Sequence, residues 1–219
     1  MRPSLSVGLT PDHLVQKERE TMTHSTFSRF GGLMAILAGV AGFLYAVGFV
    51  ILQNVLLYSF ALVVIGIFST AALVAVYARL KDTDASYALW GLLMGSIGGV
   101  GSAIHGGYDL ANAINSPESL PAAVANLPSQ IDPRGLLTFG FSGIAVFVMA
   151  WLIMRGGAFP KGVGYLGYLS AVLLIVLYLG RLIVLSPTSP FILVPALLSG
   201  FIVNPAWYMW LGVELRRSG

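Results

Sequence analysis

Cysteine is absent from this chain, and charge is scarce. With no cysteine among 219 residues, disulfides, thiolate metal sites and cysteine nucleophiles are all excluded. Only 10% of residues are charged, against about 25% in an ordinary soluble domain. That is too little to cover a water-facing surface. Histidine is nearly missing too, with His13, His24 and His105 the three present. His13 and His24 lie in the polar tail, which leaves His105 alone within the spans: a lone imidazole cannot complete a tetrahedral zinc site, and a haem between two axial histidines fails by the same count. A retinal Schiff base needs a lysine inside a span, whereas Lys17, Lys81 and Lys161 all fall outside. No P-loop occurs. No metal or other cofactor is expected.

Apolar residues make up 57% of the chain, and the mean hydropathy is +0.84. Repeated apolar runs of about 20 residues predict an all-α polytopic membrane protein. Six spans are predicted, at about 30–52, 57–79, 88–114, 135–154, 163–185 and 191–215. They form one domain, 30–215, because all but one of the connections are too short for another module. Residues 1–29 are polar and are expected to form a flexible tail, with Met22 a second candidate start. The apolar run after them exceeds the usual 7–15 residues of a cleaved signal peptide. Asp132-Pro133 and Ser189-Pro190 each place an N-cap oxygen before a proline at the first helical position. The 115–134 connection holds four prolines and should not be helical throughout. Its Ser119–Leu127 piece is apolar enough to rest on the membrane surface or to fold over the bundle as a lid.

Lysine and arginine placement sets the expected orientation. With the N-terminus inside, Arg134 and Arg181 are the two basic residues outside, and the other ten of twelve are inside. Both termini are therefore expected in the cytoplasm of a bacterial plasma membrane. The net charge of +3 belongs to helix ends, so no nucleic-acid partner is expected. The expected partners are membrane lipids and a small molecule, with a homo-oligomer allowed by the glycine content.

The third span carries the densest signal. Gly91, Gly95, Gly99, Ala103 and Gly107 recur every fourth position, and Gly98, Ser102 and Gly106 form an offset row. Such stripes let helix backbones approach closely in lipid, which predicts that this helix is central. Trp90, Leu93, Ile97, Val100 and Ile104 gather on a strip expected to face lipid. Taking His105 as zero, Asp109 falls at about 40°, Asn112 at about −20° and Ser102 at about 60°. They form one polar face.

Ionisable residues within spans usually face the protein interior and have partners. Asp109 lies about 9 Å below the end of its helix and Arg181 about 7.5 Å below the end of the fifth. Matching depths predict an Asp109–Arg181 ion pair, with His105 one turn deeper and Tyr178 one turn below Arg181. Thr138 and Ser142 share a face of the fourth span at similar depth. The same residues also fit a simple helix clamp, or an Arg181 that snorkels to headgroups. The Ser102-x2-His105-x3-Asp109 spacing resembles motifs of seven-helix membrane hydrolases related to the progestin and adiponectin receptors. Those enzymes complete a zinc site with further histidines, which this chain lacks.

In the sixth span, Pro205 removes a backbone donor and kinks the helix beside Asn204, a second candidate binding position. Gly200, Asn204 and Tyr208 share a face there. Trp207, Tyr208 and Trp210 are expected as interfacial anchors.

Three segments, VAVYARLKDTDASYALWGLL, AFPKGVGYLGYL and WYMWLGVEL, resemble bacterial multi-pass membrane proteins of the domain of unknown function 4386 type. The resemblance implies architecture and carries no functional residues. The resulting expectation is a six-helix membrane protein that binds or senses a small ligand or lipid through Ser102, His105, Asp109, Asn112, Thr138, Ser142, Tyr178 and Arg181. A secondary transporter or proton-coupled path using Asn204 ranks second, and an intramembrane enzyme third.

Overall fold

In apolar surroundings a backbone must satisfy its own polar groups, and a helix does so within one segment. The computed structural model describes residues 11–115, 131–184, 186 and 189–217. No strand occurs among them. Helix α1 runs Pro11–Ala46 and continues as a π-helical turn, Val47–Ile51. Helices α2 (Val55–Leu80) and α3 (Ala85–Asn115) follow. Helix α4 (Leu136–Arg155) opens with a π turn, Leu136–Phe141. Helix α5 is Lys161–Ile183 and α6 is Pro190–Arg217. All six are long and apolar enough to cross a membrane, α1 through its Thr26–Ile51 part. This is consistent with an integral membrane protein. The expected Ser119–Leu127 lid lies outside the described residues.

The helix ends follow local chemistry, with corrections. The expected tail is helical from Pro11 onward, where a proline can open a helix and Lys17, Glu18, Arg19 and Glu20 are good helix formers. Asn54 caps α2, its side chain accepting the Leu57 N–H at 2.9 Å. Beside it, Gln53 takes a φ of +48° to close the α1–α2 turn. Pro190 does open α6, but the Ser189 side chain makes no capping bond there. Pro133 does not open α4. Gly135 intervenes at a φ of +80°, a conformation that suits glycine, and re-aims the chain so that the helix starts at Leu136. In α6 the run is interrupted by a π turn, Ser199–Val203, between Pro195 and Pro205. Such widening accompanies a missing backbone donor.

Each helix packs on its chain neighbours, and α1 also packs on α6, closing the bundle into a ring. Helix α3 is thus not central. It buries less of its apolar window, 39%, than α2 or α4, at 50% each. Its glycines serve two flanking seams. A β-carbon at Gly106 would lie 2.7 Å from the Ser59 carbonyl of α2, and one at Gly101 would lie 2.6 Å from Leu137 of α4. Trp90, Leu93, Ile97, Val100 and Ile104 are all exposed on the outer strip.

The apolar core sits toward the end that carries both termini, around Val76, Leu80, Met149, Leu152, Ile153, Val163 and Leu211. Trp207 and Tyr208 belong to it, at 0% and 8% exposure, with their rings edge to face at 4.9 Å. They are not interfacial anchors. Gly167 leaves the space into which Trp207 turns. Trp210 stays exposed and hydrogen-bonds Glu214.

Arg79 ties this end together. Its guanidinium donates to the carbonyls of Ala158 and Glu214 and lies 4.2 Å above the Phe159 ring. One side chain thereby joins the end of α2, the α4–α5 connection and α6. Truncation removes two charge-assisted bonds, so Arg79→Ala should destabilise the fold by about 2–3 kcal/mol. Arg79→Lys should recover only part, because lysine lacks the planar fork. Thermal unfolding of the reconstituted variants checks this, and an unchanged midpoint for Arg79→Ala would refute it.

Candidate functional site

At the opposite end, the polar face of α3 meets the start of α4. His105 and Asp109 are one turn apart, and His105 Nε2 lies 3.3 Å from Asp109 Oδ2. The other ring nitrogen, Nδ1, faces Thr138 Oγ1 at 3.4 Å and Asp132 Oδ2 at 4.0 Å. One imidazole is thus held between two carboxylates on different elements.

Asp132 reaches this position through the Gly135 turn. Its carboxylate accepts the backbone N–H groups of Leu137 at 3.2 Å and Thr138 at 2.9 Å. It is therefore a helix cap that acts from five and six residues upstream, and it is buried, at 3% exposure. The π turn sets Thr138 where its hydroxyl meets His105. That hydroxyl can accept a hydrogen bond from an Nδ1–H or donate one to a bare Nδ1, so this nitrogen has a partner in either tautomer. Asp109 is more open, with 22% of its side chain exposed.

The Asp109–Arg181 pair expected from depth does not form. Among the described residues, the ion-pair partner of Asp109 is His105, and the Arg181 guanidinium stacks 5.4 Å from the Phe139 ring centroid. Both groups do lie within electrostatic range of Tyr45, together with Asp132. The expected partners are thus each engaged elsewhere, Asp109 by His105 and Arg181 by Phe139. Helix rise fixes height, whereas the rotation of α5 about its own axis turns Arg181 onto an aromatic face.

The remaining candidates divide. Thr138 joins the cluster. Tyr178 packs against Gly140 one turn along α4. Ser102 is buried and donates to the Gly98 carbonyl of its own helix at 2.8 Å, so it does not point into the site. Ser142 faces Gly98 at the α3–α4 seam. Asn112 is exposed. Asn204 belongs to another seam, where its Oδ1 accepts the Ser170 hydroxyl at 3.0 Å.

Sequence reasoning missed three aromatic residues. Tyr45 and Phe49 stack at 5.8 Å, and Tyr58 meets them edge on at 6.2 and 5.2 Å. Tyr45 and Tyr58 lie within electrostatic range of Asp109. A signal existed in their position near the same two helix ends, but aromatic residues there read equally well as membrane-interface residues. Asp132 was seen only as a cap because it lies between spans.

Chemically, the cluster offers two carboxylates and one imidazole, with no thiolate. Among the described residues, no group of acidic residues and histidines has an arrangement able to hold a metal ion.

The two carboxylates should differ sharply on truncation. Asp132→Ala leaves two partly buried N–H groups without their acceptor, which should cost about 2 kcal/mol. Asp109→Ala should cost about 1 kcal/mol or less, since its pair is partly exposed. Thermal unfolding in nanodiscs distinguishes them, and equal losses would contradict the geometry.

No protein-family model, curated protein or solved structure matches this chain.

Proposed function

We propose that this is a multi-pass plasma-membrane protein of the bacterial type named above, with both termini cytoplasmic, that binds or senses a small organic cation at its outer end. The ligand class is an amine or ammonium group. What supports it is one juxtaposition: the partly exposed Asp109 carboxylate has a second carboxylate, Asp132, on the far side of His105, while the neighbouring Arg181 is turned onto Phe139. The partly exposed Asp109 carboxylate lies within electrostatic range of Tyr45 and Tyr58, with Arg181 a further charge near Tyr45. Carboxylates and aromatic rings together are the groups that recognise an organic cation, by charge and by ring quadrupole. The orientation is supported by the crowding of lysine and arginine toward the termini.

A secondary transporter is the second reading. It is supported by the broken α6, whose π turn lies between two prolines and next to the Ser170–Asn204 pair. Broken helices form the substrate site in many transporters.

The test titrates choline, ethanolamine and tetramethylammonium against the purified chain in neutral-lipid nanodiscs, with thermal shift and tyrosine fluorescence as readouts. At least one cation should bind saturably, and Asp109→Asn should weaken it about tenfold or more while leaving the unfolding midpoint close to wild type. Absence of binding by all three, or equal binding by Asp109→Asn, would defeat the binding reading. Vesicle flux that disappears in Asn204→Leu would favour transport.

A further inference from the structure

The seam that closes the ring, between α1 and α6, has a feature unrelated to the His105 cluster. Gly32 and Gly212 bring the two backbones together: a β-carbon at Gly212 would lie 2.5 Å from the Gly32 carbonyl, and one at Gly32 would lie 2.6 Å from Cγ of Arg216. The bare face of Gly32 lets the Arg216 stem lie across α1. Beside this crossing is a groove of about 440 Å³ lined by Arg29, Ile36, Val213, Arg216 and Arg217.

Its charge is one-sided. Among the described residues, the carboxylate bonded to one of its arginines is Glu214, which accepts from Arg217 at 3.1 Å and Trp210 at 3.3 Å. Arg29 and Arg216 have no carboxylate partner among the described residues. Arg217 keeps 71% of its side chain exposed despite its pair. Glu214 compensates Arg217, and the Arg29 and Arg216 guanidinium groups at the same opening are left to repel each other unless a second anion sits between them. A phosphate suits them, since guanidinium binds it through paired N–H donors.

The groove is also amphipathic in the right order. The arginines lie at the terminal end of the helices, and Ile36 and Val213 lie further into the apolar span. A headgroup at the arginines would leave its acyl chains running along the apolar walls. Basic pockets between membrane helices recognise anionic headgroups in this way.

We infer that the α1–α6 groove is a binding site for an anionic phospholipid, held by Arg29 and Arg216 with support from Arg217. The site lies at the end with both termini, opposite the candidate cation site. Occupancy would brace the seam on which ring closure depends.

The test uses the full chain in phosphatidylcholine nanodiscs with and without a minor fraction of phosphatidylglycerol, read by native mass spectrometry and by thermal unfolding. Phosphatidylglycerol should be retained in preference to phosphatidylcholine and should raise the unfolding midpoint. Arg29→Gln and Arg216→Gln should each lower retention about fivefold, with Arg216→Lys retaining more than Arg216→Gln. Arg155→Gln is the control, because Arg155 sits at the same end but stacks on Trp151 outside the groove. The midpoints in pure phosphatidylcholine establish that each variant is folded. No preference for phosphatidylglycerol, or an equal loss in Arg155→Gln, would overturn the site. A midpoint shift reproduced by inorganic phosphate alone would reassign the groove to a free anion.

Discussion

The close approach of helix backbones is the contact on which the rest of this structure depends. Lipid offers apolar side chains nothing to escape from, so helices associate through packing contact. Here that contact is made repeatedly at glycine. Gly66 meets Gly99, Gly106 meets Ser59, and Gly32 meets Gly212. A side chain at any of these points would push two backbones apart. The same contacts set where functional groups fall: the α2–α3 seam brings Tyr58 of the second helix toward Asp109, and the α1–α6 seam lays Arg216 across the first helix.

The two ends of the bundle use polarity differently. At the terminal end, Arg79 is spent on backbone carbonyls and an aromatic ring, with the Glu214 carboxylate in electrostatic range, which fastens three segments. At the other end, His105 joins two carboxylates from separate elements. The first arrangement satisfies a partly buried guanidinium on carbonyls and a ring. The second leaves Asp109 partly open. What the charged groups bond, backbone at one end and one another at the other, is why one polar cluster reads as a fastening and the other as a site.

Irregular helix geometry recurs where polar groups are positioned. The π turn at Leu136–Phe141 sets Thr138 against His105, and the one at Ser199–Val203 precedes Asn204 with its Ser170 partner. A π turn widens the helix by one residue and rotates everything after it. A wheel drawn at a constant 100° per residue cannot anticipate that rotation.

By itself, the sequence determined the six long apolar helices to within a few residues of each end and the exposed apolar strip of α3. These are properties of single helices, governed by apolar length, local capping and the regular rise per residue. The extension of α1 back to Pro11 escaped because the stretch is polar, and apolar length does not mark such a helix. The tertiary structure decided which side chains meet. Asp109 and Arg181 are expected at matching depths, yet Asp109 meets His105 and Arg181 meets Phe139. The left-handed Gly135 turn brings Asp132, a residue between spans, to His105. Trp207 and Tyr208 turn into the core because Gly167 leaves room. Partner choice depends on how helices rotate and approach one another, and that is settled by packing between segments far apart in the chain.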